Sequence, residues 1–166
     1  MGDNGVADPR YALVFEETLR AIRGQQEALR DVRTHAGHLL TAASLVASFL
    51  GGLVLRESSP RPPTLVTAAN VLAVTTFVTV VALCIWIVLP RKGWVFTNSA
   101  TVLLDGYVEA EQPAGIDEMH RQLALFMERH WDNNQDALTS RLTGLQVAAG
   151  LLAVTIAAWL AALMGR

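Results

Sequence analysis

PPTLVTAANVLAVTTFVTVVALCIWIVLP, residues 62 to 90, runs for 29 positions without a charged side chain. A helix rises about 1.5 Å per residue, so roughly 20 apolar residues cross the ~30 Å hydrocarbon layer of a bilayer. Two further runs have the same character: Thr34 to Leu55, 22 residues, and Leu142 to Gly165, 24 residues. A soluble domain can bury one such helix, but three in a chain of 166 residues leave too little polar surface to cover them. The composition agrees, with 52 % hydrophobic and 17 % charged residues. The reading is an all-α fold with three transmembrane helices, the first and third extended into the cytoplasm. As one membrane domain, 1–166, it divides into an amphipathic helix 9–33, spans 34–55, 65–89 and 143–164, and a cytoplasmic helical segment 91–142.

Cationic residues set the orientation. Arg10, Arg20, Arg23, Arg30 and Arg33 precede the first span, and Arg91, Lys92, Arg121, Arg129 and Arg141 lie between the second and third. Arg56, Arg61 and Arg166 are on the other side, so ten oppose three. The amino terminus is expected inside a bacterial inner membrane and the carboxyl terminus outside. The first apolar run begins too late for a cleaved signal peptide. Val6 occupies the position where a myristoylation signal needs Ser or Thr. Pro60, Pro62 and Pro63 make the outer connection a short, stiff loop.

Asp8-Pro9 is a helix start, a capping carboxylate followed by a residue that needs no amide hydrogen. Phe15, Leu19, Ile22, Leu29 and Ala36 then recur at helical spacing, with Gln26 and Arg33 in the same stripe and Gly24 as its weak point. A second stripe, Ile116, Met119, Leu123, Phe126, His130, Leu138, Leu142 and Leu145, runs into the third span behind Asp117 and Glu118. Both helices enter the membrane in the same direction and are expected to pair beneath it. Between them, Trp94, Val95 and Phe96 beside Arg91 and Lys92 form an interfacial anchor, and Thr97 to Glu111 reads as a short helix.

Small residues mark one face of each outer span. Thr41, Ser44, Ser48 and Gly52 align on the first, beside Ala43, Ala47 and Gly51. Ala149, Ala153, Ala157 and Ala161 align on the third. Such spacing lets helix backbones approach in lipid and predicts a homo-oligomer, with the hydroxyl face as an alternative pore lining. Span two carries Thr67 and Asn70 on one face and Thr75, Thr76 and Thr79 on another, so it continues no polar path. No Asp, Glu, Lys or Arg lies within a span, which argues against an ion-coupled transporter.

Little else suggests chemistry. Cys84 is the single cysteine and excludes an intrachain disulfide or a thiolate metal centre. His120 and His130 stand about 15 Å apart along one helix, too far to share an ion. His35 and His38, one turn apart near the membrane, are at most a titrating pair. No nucleophile and base pair up, so no catalytic residue, cofactor or metal is expected, and the balanced charge does not suit nucleic acid. Arg30, Arg33 and Arg141 are the cations best placed for an anionic ligand or lipid headgroups.

Arg33-x-x-Ala36-x-x-Leu39-Leu40 entering the first span, Leu89-Pro90-Arg91 closing the second, and Asn133-Asn134 with Arg141 ahead of Leu145-Gln146 entering the third give the chain a resemblance. From about Arg20 onward it resembles the Pycsar transmembrane effector family of bacterial anti-phage defence. The resemblance implies a non-enzymatic protein that responds to a cyclic pyrimidine nucleotide and damages the inner membrane. No segment reads as a separate β-rich nucleotide-binding domain, so a ligand would meet the helical stalk or a cytoplasmic partner. The alternative is a membrane-anchored scaffold or a small oligomeric channel.

Overall fold

The structure, a computed structural model, describes residues 8–56, 64–90, 101, 104–109 and 114–165, apart from the Leu55 side chain. Every regular element among the described residues is helical. Three helices are long and apolar enough to cross a bilayer, the first and last of them long. The fold expected from the three uncharged runs is therefore the fold observed.

Helix α1 spans Pro9–Val46. Asp8 caps it as anticipated, its Oδ1 accepting from the Arg10 amide at 3.0 Å while its carbonyl accepts from the Tyr11 amide at 3.2 Å. Gly24 does not interrupt the helix; a glycine costs a helix only about 1 kcal/mol, well within reach of the flanking packing. Beyond Val46 the chain makes a π-helical turn, Ala47–Gly51, before α2, Gly52–Arg56. Helix α3 covers Thr64–Val88; the Leu89 amide still bonds to Ile85 O at 2.9 Å, and Pro90 permits no continuation.

Helix α4 runs from Ile116 to Met164, joining the second amphipathic stripe and the third apolar run in one element of 49 residues. At 1.5 Å per residue it is about 74 Å long, more than twice the hydrocarbon thickness. Asp117 and Glu118 occupy its first turn, where carboxylates favour the exposed amides. Of the short helix expected over Thr97 to Glu111, a π-helical turn, Leu104–Val108, is described. Residues 97–100, 102–103 and 110–111 of that segment, the Trp94 anchor and the Pro60 to Pro63 loop lie outside the described residues.

Packing divides the chain into two units, residues 1–29 with 91–138 and residues 30–90 with 139–166. In the first, α1 and α4 run parallel. Phe15 stacks on His120 with ring centroids 5.3 Å apart, and three hydrogen bonds link residues 106 to 110 positions apart. In the second, two apolar clusters form the interior. One gathers Ala43, Val80, Cys84, Ala148 and Leu152, the other Val54, Ala73, Ala158 and Trp159.

The buried positions follow a seven-residue repeat on all three long helices: Ile22, Leu29, Ala36 and Ala43 on α1, Val66, Ala73, Val80 and Ile87 on α3, and Met127, Asn134, Arg141, Ala148, Thr155 and Ala162 on α4. Such a repeat keeps one seam of each helix facing its neighbour. It also corrects the expected stripes. On α1 the buried polar residue is Gln25, with Gln26 exposed, and Val32 is buried where Arg33 is only half-buried. On α4, Ile116 and Leu142 are exposed, and only Leu123 and Leu138 of the expected set are buried. The seam lies about one position further round, because Asn134 and Arg141 occupy it and a search for large apolar residues steps past them.

Candidate functional site

The membrane ends of the helices bring together the charged residues singled out from the sequence in unequal ways. Arg30 is exposed. Arg33 is half-buried, and its Nε is shielded yet meets no acceptor among the described residues. Arg141 is buried, which its charge alone would forbid unless its donors were used. Its Nη1 donates to Ile87 O at 2.9 Å and its Nη2 to Leu89 O at 3.2 Å. Those carbonyls end α3 and lack helical partners of their own, so the guanidinium caps that helix and complements its dipole. The group expected to meet an anion is thus committed to holding α3 against α4.

The small-residue faces separate cleanly. Ala43 is buried, and Ala47 and Gly51 are half-buried, with a Cβ at Gly51 falling 3.7 Å from Trp159 Cζ2. Thr41, Ser44, Ser48 and Gly52 on the neighbouring face are exposed. Their hydroxyls turn back on the helix, Thr41 to Gly37 O, Ser44 to Leu40 O and Ser48 to Ser44 O, at 2.8 to 3.0 Å. Ala149, Ala153 and Ala157 are likewise exposed, while Ala148, Leu152, Thr155, Ala158 and Ala162 carry the packing within the chain. Thr75 and Thr79 also bond to carbonyls four residues back, which satisfies them without a polar path.

In the unit of residues 1–29 and 91–138 the seam has a polar layer. Gln25, 5 % exposed, donates from Nε2 to Trp131 O at 3.1 Å and to Gln135 Oε1 at 3.2 Å. Its own Oε1 is buried and receives no donor among the described residues. Asn134, also buried, is next on the facing helix. The expected stripes contain neither residue, Asn134 entering only through the family resemblance, although the seven-residue spacing through Met127, Asn134 and Arg141 carries the signal. Further out, Asp8 accepts from the Arg10 side chain, and that bond, then the Arg10 amide, holds its carboxyl at about 2, below the ordinary 3.8. His120 and His130 serve separate rings, Phe15 and Phe126, the second pair with centroids 4.6 Å apart. Among the described residues no three His, Cys, Asp or Glu side chains converge as a metal site. What the arrangement offers is a pair of helices whose packed seam buries Gln25 and Asn134 and, in the other unit, exposed faces of small residues.

Compared with protein-family profiles, with curated proteins and with solved structures, the chain matches none.

Proposed function

We propose that this chain is a non-enzymatic membrane effector of bacterial anti-phage defence, which perturbs the inner membrane as a homo-oligomer when a cyclic nucleotide or a cytoplasmic partner acts on its stalk. The observation that carries the reading is the continuity of α4, one helix of 49 residues whose first half is charged and whose second half is apolar. A signal changes a membrane segment only if it binds its states with different affinity, and a helix shared between stalk and span is an element through which such a difference can act. Gln25 supports it, since a buried amide whose Oε1 receives no hydrogen bond from the described residues is a weak point at which the seam can repack. The exposed Ser44, Ser48 and Gly52 face and the exposed Ala149, Ala153 and Ala157 face support self-association. The ten-to-three distribution of cationic residues supports a cytoplasmic amino terminus and an external carboxyl terminus. The Pycsar-like residue pattern supports the defence setting.

The test is to express the protein with and without a co-encoded nucleotide cyclase, or with added cyclic nucleotides, while recording membrane potential and viability. Depolarisation that requires the signal and disappears on removing residues 1–30 is expected. A membrane left intact under every such signal overturns the reading.

A further inference from the structure

Beside the π-helical turn Ala47–Gly51 lies a cavity of about 490 Å³ in the unit of residues 30–90 and 139–166, lined by Ser48, Gly51, Gly52, Asn70, Val74 and Trp159. Its walls are mostly apolar, with Ser48 and Asn70 as the side chains that bring hydroxyl and amide groups to it. The Asn70 Oδ1 is shielded and receives no hydrogen bond from any described residue. Asn70 stands six residues into α3, about 9 Å from its start, at a depth where lipid tails supply no donor. An amide left unbonded there is costly, and its broad terminal torsion lets it turn toward the cavity at little expense.

The chain itself displays a matching donor. Ser48 stands exposed at the cavity's rim, its hydroxyl donating to Ser44 O of its own helix. Gly52, one turn on, is exposed in ordinary helical geometry, at φ −62° and ψ −42°. Donor and acceptor therefore lie on one patch, which is the condition for a two-fold contact in which each copy gives what the other lacks. We infer that a second copy of this chain docks at this cavity, α1 crossing α1 beside Ser48 and Gly52, with Ser48 of each copy donating to Asn70 of the other. The π-helical turn, a feature that often marks function in helices, lines the same cavity through Ser48 and Gly51. This inference rests on the self-association in the proposed function and gives it a particular face.

The experiment uses full-length protein in phosphatidylcholine vesicles, in a Cys84→Ala background. A Cβ at Gly52 meets nothing within 4 Å, so Gly52→Cys is accommodated, and it is expected to cross-link between copies on mild oxidation. Energy transfer between labelled copies, followed on lipid dilution, is expected to show association about tenfold weaker in Asn70→Leu, from the loss of two interhelical bonds per contact. Asn70→Gln, which keeps the amide, is expected to restore part of it, and unchanged helical circular dichroism checks that the variants fold. Association unchanged in Asn70→Leu overturns the inference. Cross-linking through Ala153→Cys but not Gly52→Cys also overturns it, while leaving self-association standing. A monomer under all conditions removes both, as does a monomer that retains a lipid released by Gly52→Leu.

Discussion

The hydroxyls of Thr76 and Thr155 meet at 2.7 Å, joining α3 to α4 by a buried hydrogen bond. Each hydroxyl has one proton and an alternative acceptor on its own helix, Leu72 O at 2.9 Å or Ala73 O at 3.1 Å for Thr76 and Leu151 O at 2.9 Å for Thr155, so the hydroxyl that accepts across the helices donates to its own. Removing one hydroxyl therefore strands no buried donor. Thr155→Val, which keeps the shape, is expected to destabilise the spans by only about 0.5–1 kcal/mol, the usual worth of an interhelical bond in a bilayer. Unfolding in mixed micelles measures it, and a loss several times larger contradicts this account of the bond.

Arg141 is expected to matter more. Its side chain, 3 % exposed, satisfies Ile87 O and Leu89 O with a charged donor, and nothing of similar reach replaces it. Arg141→Met keeps the apolar stem and removes both bonds, at an expected 2–4 kcal/mol in round terms, about what two charge-assisted bonds contribute. Arg141→Lys presents a point charge instead of a fork and should recover roughly half. The same micelle unfolding decides, and a Met variant as stable as the parent would dismiss the cap.

How far the sequence could be read is clear from these residues. The three spans were legible because hydrocarbon thickness imposes a length that Thr64–Val88 displays directly. The Asp8-Pro9 start was legible because capping is local chemistry. The seam was not, because three neighbouring stripes on α4 all contain apolar residues, and the one chosen by packing holds Asn134 and Arg141. Nor could composition tell Ala43, Ala47 and Gly51 from Ser44, Ser48 and Gly52 as the inward face, since both permit close approach. Packing against Val80, Ala148 and Trp159 decides that, and those contacts are distant in sequence. The value of Asn70 was equally hidden, for an orphaned oxygen is a property of its surroundings.

Gly144 sits close against the end of α3. A Cβ placed there would lie 3.0 Å from Trp86 Cζ3 and 3.7 Å from Ile87 Cδ1. Trp86 is 45 % exposed and can swing outward, whereas Ile87 is fully buried and cannot. Gly144→Ala is therefore expected to cost less than about 1 kcal/mol, and Gly144→Leu about 1–3 kcal/mol as an overpacked interior. Thermal unfolding that ranks the two variants equally goes against this assignment.

The Asp8 cap should respond to acid. Because the Arg10 hydrogen bond depresses the folded value to about 2 from 3.8, the carboxylate contributes to folding above about pH 4, and the contribution is lost as pH falls toward 2. Carbon NMR of the labelled carboxyl should find the midpoint near 2, returning toward the ordinary range in Arg10→Ala. A midpoint already near 4 in the parent rules out the contact in solution.

The last expectation links the stalk seam to the proposed activity. Gln25 is buried with its Oε1 unbonded, and its Nε2 bonds reach a helix carbonyl and a glutamine that both have other ways to be satisfied. Gln25→Leu removes the orphan and fills the seam with a residue it accepts, so the stalk should gain about 1 kcal/mol. Amide exchange measured in vesicles should slow by about fivefold over residues 9–29, the same free energy read as a ratio. Unaltered or faster exchange excludes a strained layer. If the layer also sets the gap between resting and active stalks, a seam more stable by that amount must be opened by the signal at a matching cost. The concentration of cyclic nucleotide giving half-maximal depolarisation should then rise by about fivefold as well. Slower exchange with an unchanged dose response would keep the packing account and separate it from the switch.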